Sequence, residues 1–135
     1  MLLFRTLFQV PPSPWMPRII AVTNQKGGVG KTTTSVNLGA GLAMAGGQTL
    51  LLDLDPQANS TRALGFERKP DRPNVYDCLI EGLPLAQTLL KTDMENLSLC
   101  PSENELTGAE VELVSLPRRE FRLADLLAAL APTFD

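Results

Sequence analysis

The chain has 135 residues and a formal net charge of -3, so it fits one domain with a sizeable core and its bulk charge does not favour nucleic-acid binding. It contains no histidine, and its two cysteines lack metal-type spacing, which excludes a histidine-ligated metal site and a disulfide framework. We predict instead that Cys78 and Cys100 are buried, reduced thiols.

Residues 1–16 differ in character from the rest of the chain. Their apolar stretch is short and interrupted by Arg5 and Gln9, and no small-residue cleavage site follows, so they make a poor signal peptide. Several prolines then exclude a helix, and Met16 directly precedes the first strand candidate. We predict that residues 1–16 are a disordered extension or reflect a start site assigned too early. No apolar run in the sequence reaches the length of a membrane span.

The first predicted elements are a strand, a turn and a helix. An apolar, branched run at 18–24 predicts a buried strand, a glycine-rich turn covers 27–30, and residues 31–45 predict a helix that two further glycines end. Gly39 and Gly41 lie inside this helix and lower its propensity. Close packing of the helix against a sheet is a plausible reason for both.

The later elements continue the same alternation of strands and helices. A second buried strand is predicted at 49–54 and a third at 97–100. Ser102 and Glu105 have the spacing of a capping box for a helix that follows. The other predicted elements are a polar loop at 55–64, an exposed connection at 65–73, short helices at 75–80 and 85–90, and a final helix at 119–130 with Leu123, Leu126, Leu127 and Leu130 on one face.

This order of elements predicts the fold class. Strands that alternate with helices indicate an α/β fold with a mostly parallel sheet and flanking helices. The last predicted helix ends near residue 132, where a further strand would be expected. We therefore expect the sheet to be incomplete towards the C-terminus.

The strongest motif lies between the first predicted strand and the first predicted helix. Glycines allow backbone conformations closed to other residues, so that N–H groups can form an anion-binding nest at the helix N-terminus. Lys31 adds a point charge for the β- and γ-phosphates, and the Thr32 hydroxyl can ligate Mg²⁺. The residues expected to bind phosphate are Lys26, Gly27, Gly28, Val29, Gly30, Lys31, Thr32 and Thr33.

The motif departs from the general Walker A pattern, because Gln25 stands where that pattern has glycine and Lys26 follows it. This stretch resembles the deviant Walker A motif of the ParA/MinD family of P-loop ATPases. The resemblance implies that the chain takes ATP and Mg²⁺, with Lys31 on the phosphates. It also implies that Lys26 reaches across an ATP-sandwiched dimer to the partner's phosphates.

A second group of polar residues follows the second predicted strand, from Asp53 to Thr61. A carboxylate at the C-terminal end of a parallel strand can hold a Mg²⁺ shell or orient a water, although Asp and Pro are equally typical of a simple turn. The segment resembles switch I of the same family, and Asp55-Pro56-Gln57 is closer to the ParA/Soj branch than to MinD. The resemblance assigns Asp55 to the hydrolytic water and the metal, and places Asp53 near the metal.

The resemblance covers residues 17–135, which it identifies as the N-terminal part of a ParA-type ATPase domain. Weaker matches in order and spacing lie at 75–77, 96–102 and 106–113. In the family the next strand carries the Walker B aspartate, and the adenine pocket and the DNA-binding surface lie later still. We therefore expect this chain by itself to bind ATP weakly or not at all.

The function implied by the resemblance is chromosome or plasmid partition by a cytoplasmic, nucleoid-associated ATPase. Such an ATPase forms an ATP-dependent homodimer, binds DNA nonspecifically through regions outside this chain, and is stimulated by a ParB-like partner; no membrane is expected. The alternatives are a MinD-like ATPase that positions cargo or binds a membrane, and a truncated, non-catalytic nucleotide-binding remnant. A nitrogenase-iron-protein-like reductase is disfavoured.

Two further clusters of charge are less informative. Glu110 and Glu112 fall within a predicted helix, and solvated carboxylates are the simpler interpretation. Arg118, Arg119 and Arg122 begin the last predicted helix, where a solvated helix start is favoured over a contact with DNA or a partner.

Overall fold

The computed structural model describes residues 17–130 and 133–135, so the predicted extension at 1–16 lies outside the described residues. Shorter turns of π- or 3-10 helix occur at Asp77–Glu81, Leu85–Gln87 and Arg119–Phe121. Within the described part of the chain no helix is long and apolar enough to cross a bilayer. The main elements are α1 (Lys31–Met44), β1 (Thr49–Leu52), α2 (Asn59–Ala63), β2 (Leu90–Lys91), β3 (Leu97–Cys100), α3 (Leu106–Leu113) and α4 (Arg122–Ala128).

The three strands form one sheet in the order β1-β3-β2. β1 and β3 run parallel, with Thr49 opposite Leu97 and Leu52 opposite Cys100, and β2 pairs antiparallel to β3. The crossover between two parallel strands needs intervening helical structure, which the chain supplies between residues 53 and 96. The predicted α/β fold is confirmed, whereas β2 escaped prediction because two residues leave no periodic pattern.

Side chains alternate along the strands and so divide between two cores. Leu51, Leu97 and Leu99 pack with Ala43 of α1 on one face of the sheet. Cys100 faces the other side, where the predicted leucine face of the last helix packs, and Leu130 is its most buried member. Since burying a leucine side chain stabilises the fold by roughly 2 kcal/mol, both layers hold the sheet.

The predicted strand at 18–24 is wrong in the described structure. This segment is irregular, and Ile19 and Ile20 expose 65% and 57% of their surface. The N–H of Arg18 donates to the carbonyl of Asp135 (2.7 Å), and the N–H of Asp135 donates to the carbonyl of Gln48 (3.0 Å). Asp135 therefore lies between the segment and the start of β1, and the described residues give the segment no strand ladder.

Three smaller predictions are also wrong. The polar loop predicted at 55–64 contains the short helix α2, and the helix predicted at 85–90 is only the 3-10 turn at Leu85–Gln87. The capping box is absent, because α3 begins at Leu106 after Glu105 without a side-chain cap. Ser102 is buried instead, and its N–H donates to the Thr61 hydroxyl.

The two glycines inside α1 differ in their surroundings. A Cβ on Gly39 would lie 3.5 Å from Cδ1 of Leu97 and 3.7 Å from Cδ1 of Leu51, so the predicted close packing against the sheet is confirmed there. A Cβ on Gly41 would meet no atom within 4 Å, and the packing explanation is wrong for this residue. The predicted glycine end of the helix is confirmed by the left-handed Gly46, with φ of 94°.

Candidate nucleotide-binding site

The loop before α1 has the backbone geometry of an anion-binding turn. Gly28 and Gly30 have φ of 68° and 87°, in the left-handed region that favours glycine. Gly30 is the residue before α1; its carbonyl accepts the Thr34 N–H (2.8 Å), and no side chain caps the helix. The N–H groups at the start of this 14-residue helix therefore have no side-chain cap, an arrangement that suits an anion.

One lysine of the predicted motif, Lys26, lies in this loop, and the other, Lys31, is the first residue of α1. The ammonium of Lys31 donates to the carbonyl of Lys26 (3.2 Å), so its side chain folds back over the turn. The N–H of Lys26 donates to Oδ1 of Asn24 (2.9 Å), which fixes where the loop begins. Lys31 and Thr32 are half-buried at the helix start, whereas the residues from 25 to 30 are exposed.

Asp53 is buried at the end of β1, with 3% of its surface exposed. One carboxylate oxygen accepts the N–H of Asp55 (3.1 Å), and the other accepts both the N–H (2.8 Å) and the hydroxyl (2.7 Å) of Thr61. Three protein donors therefore satisfy this buried charge, as burial requires. The role of Asp53 near a metal stays a prediction, since both of its oxygens already have partners.

Asp55 is half-buried and closes a compact turn. Its Oδ1 accepts the N–H of Gln57 (2.9 Å), and its Oδ2 accepts the side-chain amide of Asn59 (2.9 Å). Ala58, the residue before α2, is fully buried and has φ of 52°, a left-handed conformation that costs a non-glycine residue roughly 1 kcal/mol. The surrounding hydrogen bonds hold this strained turn and the carboxylate on it.

The phosphate loop and the carboxylate turn each precede a helix. α2 follows the turn, α1 follows the loop, and the two helices contact each other. Elsewhere in the described ranges, as here, no three Cys, Asp or Glu side chains gather as a metal-binding cluster.

Sequence reasoning assigned no role to three residues that shape this turn, namely Asn59, Thr61 and Arg68. Arg68 donates to the carbonyl of Pro56 (3.0 Å) and to the side chain of Asn104. It therefore ties the turn to the segment after β3, which lies far along the chain. Asn59 and Thr61 lie inside the segment from Asp53 to Thr61 that the sequence singled out, but nothing in the local sequence marks Arg68.

Three of the other charged candidates, Glu112, Arg118 and Arg122, have partners for their side chains within the protein. The carboxylate of Glu112 accepts the Tyr76 hydroxyl (2.8 Å), and this hydrogen bond raises the pKa of Tyr76. Arg122 donates to the carbonyls of Leu79 and Ile80 at the end of the π-helical turn. Arg118 pairs with Asp125 (3.1 Å) on the surface. Glu112 and Arg122 therefore make hydrogen bonds within the protein, whereas the sequence predicted solvated side chains.

Comparison with known proteins settles the family. A family model described as "AAA domain" matches residues 17–135. The chain belongs to this family. Its ParA/Soj resemblance is confirmed by the sporulation initiation inhibitor protein Soj of Bacillus subtilis, with 49% identity over 89% of this chain and 47% of that protein. The chromosome partitioning protein ParA of Myxococcus xanthus is 48% identical over 87% of this chain and 42% of that protein.

Solved structures agree with the P-loop fold of this AAA-domain family. One is described as cobyrinic acid a,c-diamide synthase from Mycobacterium smegmatis with bound ATP analog and magnesium. It superposes with a TM-score of 0.82 at 41% identity, over 89% of this chain and 49% of that protein. The chain spans about half the length of the curated relatives it matches.

Proposed function

We propose that this chain is the phosphate-binding part of a partition ATPase of the ParA/Soj type, which binds and hydrolyses MgATP. The observation that carries the proposal is the start of α1, with two left-handed glycines, Lys31 and no side-chain cap. Relatives named for chromosome partitioning and a related structure with an ATP analog and magnesium support it.

The proposed roles of the loop residues are those of the phosphate-binding motif, and the geometry of the loop is compatible with them. Lys31 exchanges its bond with the Lys26 carbonyl for the β- and γ-phosphates of ATP. The main chain from Gly27 to Thr33 would surround the phosphates. The Thr32 hydroxyl would ligate Mg²⁺, with Asp53 and Asp55 near the metal. When bound, the metal neutralises charge on the phosphate oxygens.

Asp55 serves the hydrolytic step. Its carboxylate, held by Gln57 and Asn59, orients a water towards the γ-phosphorus. The water oxygen forms a bond to phosphorus, the bond to the bridging oxygen breaks, and ADP leaves with that electron pair. A proton from the water passes to the phosphate and solvent, so inorganic phosphate and ADP are the products.

The proposed partners are those that the ParA/Soj resemblance implies. Two subunits sandwich two nucleotides, and Lys26 of each contacts the nucleotide of the other. The dimer binds DNA nonspecifically in the cytoplasm, on the nucleoid, and a ParB-like protein stimulates hydrolysis. These steps use regions outside the 135 residues as well as the loop described above.

The proposal is tested by measuring whether the 135-residue chain binds MgATP. Binding is monitored by changes in NMR chemical shifts at millimolar nucleotide. We expect weak binding with shifts centred on residues 26–33, and Lys31→Ala should weaken it about tenfold or more because a charge-assisted bond to phosphate is lost. Lys91→Ala, which removes an exposed lysine on β2, is the matched control and should bind as wild type.

Two results would count against the proposal. Equal binding by wild type and Lys31→Ala would show that the loop is not the phosphate site. Binding without any release of phosphate would favour a nucleotide-binding module without catalysis, and Asp55→Asn should abolish whatever turnover the wild-type chain has.

A further inference from the structure

We infer that Thr61 is a positioning residue that holds the Asp55 turn against the end of β3. The inference rests on the proposed function, because the position of Asp55 matters for catalysis only if the chain hydrolyses ATP. The holding itself is a property of the unliganded chain and can be measured without nucleotide.

Thr61 connects two parts of the chain that are distant in sequence. Its side chain is fully buried, and its hydroxyl donates to Oδ2 of Asp53 (2.7 Å). The same hydroxyl accepts the N–H of Ser102 (3.1 Å), the second residue after β3. One oxygen atom therefore joins the end of β1 to the end of β3.

The connection continues directly to the proposed catalytic carboxylate. The second oxygen of Asp53 accepts the N–H of Asp55 (3.1 Å), so the bonds run from Ser102 through Thr61 and Asp53 to Asp55. Asp53 and Ser102 are buried as well, with 3% and 0% of their surface exposed. Since unpaired polar groups are unfavourable away from water, each bond in this series restricts the next.

Only a hydroxyl can serve both neighbours of Thr61, because it donates one hydrogen bond while accepting another. Valine has nearly the same shape but can do neither, and serine keeps both functions with one methyl fewer. If Thr61 acted only by filling space, valine would replace it better than serine. If it acts by positioning, serine would be the better replacement.

Ser102 supplies a matched control within the same network. Its own side-chain oxygen is buried without a hydrogen-bond partner among residues 17–130 and 133–135. Ser102→Ala therefore removes a hydroxyl that holds nothing in this structure, while the backbone N–H that donates to Thr61 is retained. This variant should leave the Asp55 turn as it is in wild type.

Amide hydrogen exchange in the unliganded chain tests whether Thr61 holds the Asp55 turn in place. In Thr61→Val we expect the amides of Asp55 and Ser102 to exchange roughly tenfold faster. This is the effect of losing one hydrogen bond to a carboxylate, here that of Asp53. The amides of β1 and β3 should keep their protection. Thr61→Ser and Ser102→Ala should exchange like wild type. Wild-type rates at both amides in Thr61→Val, or a Thr61→Ser variant as fast as Thr61→Val, would overturn the inference.

A second readout separates positioning from nucleotide binding. With MgATP, Thr61→Val should lower kcat roughly tenfold with KM little changed, and Thr61→Ser should restore it. A rise in KM at unchanged kcat would contradict positioning. Absence of turnover in wild type would count against the proposed function alone, and the exchange rates would still decide whether Thr61 holds the turn.

Discussion

Cys100 shows how strongly burial acts on a single side chain in this protein. Its side chain is fully buried at the end of β3, with its sulfur 3.1 Å from the Thr88 hydroxyl. Burial raises the pKa of the Cys100 thiol from 9.0 to about 12, and the hydrogen bond with Thr88 offsets only part of this rise. Both cysteines are free and buried, which confirms the prediction from sequence.

The raised pKa predicts a loss of stability in alkali. Because the pKa is higher in the folded chain, the stabilising effect of the neutral thiol is complete below its unfolded value of 9.0 and is lost as the pH rises through about 12. The free energy of unfolding, measured by urea denaturation between pH 9 and 11, should therefore fall more steeply with pH in wild type than in Cys100→Ala. The two slopes should differ by up to about 1 kcal/mol per pH unit. The other ionisable groups are the same in both proteins, so equal slopes would contradict the prediction.

Single residues were predictable from the sequence where their partners are close along the chain. The glycines of the phosphate loop follow from a local motif, and their left-handed φ values agree with it. Thr61 and Ser102 are 41 positions apart, and no local pattern relates them. Their hydrogen bond depends on β1 and β3 pairing side by side, which is a property of the fold.

At the scale of elements, one glycine inside α1 and one just after it differ in whether alanine could replace them. Gly41 lies in the middle of the helix, is exposed, and has open space where a Cβ would stand. Gly46 follows the helix with φ of 94°, and its N–H donates to the carbonyl of Ala43 (3.0 Å). Alanine suits the first position and is strained at the second.

We therefore predict stability changes of opposite sign. Gly41→Ala should raise the free energy of unfolding by up to about 1 kcal/mol through helix propensity. Gly46→Ala should lower it by about 1 kcal/mol, because alanine would have to adopt the left-handed conformation. Urea denaturation of both variants beside wild type is the measurement, and a stabilised Gly46→Ala would show that the end of the helix rearranges.

The local sequence predicted most of the main elements correctly. α1 follows from the glycines before and after it, the leucine face of the last helix follows from helical spacing, and β1 and β3 follow from their short apolar runs. The run at 18–24 has the composition of a strand, but a strand forms only where a second strand accepts its hydrogen bonds. The structure places Asp135 between this run and β1, so composition alone gave the wrong result.

At the scale of the whole molecule, the exposed apolar residues at 18–24 predict self-association. Ile19 and Ile20 expose more than half of their surface, on a segment that has no strand ladder with the other described residues. Sedimentation velocity should show concentration-dependent oligomers that the double variant Ile19→Ser, Ile20→Ser reduces. Val111 and Val114 are also exposed but belong to the end of α3, so the corresponding double variant should associate like wild type.

The bonds of Asp135 also determine how the molecule responds to mechanical force. Arg18 and Asp135 lie near opposite ends of the described chain and are joined by one backbone hydrogen bond of 2.7 Å. Tension applied between residues 17 and 135 would act on this bond first. The parallel hydrogen-bond ladder of β1 with β3 would not yet bear force. Its rupture would release residues 17–24 and the phosphate loop as a tether while both cores stay intact. We therefore expect tension between these two residues to reach the loop proposed to bind nucleotide before it reaches either core.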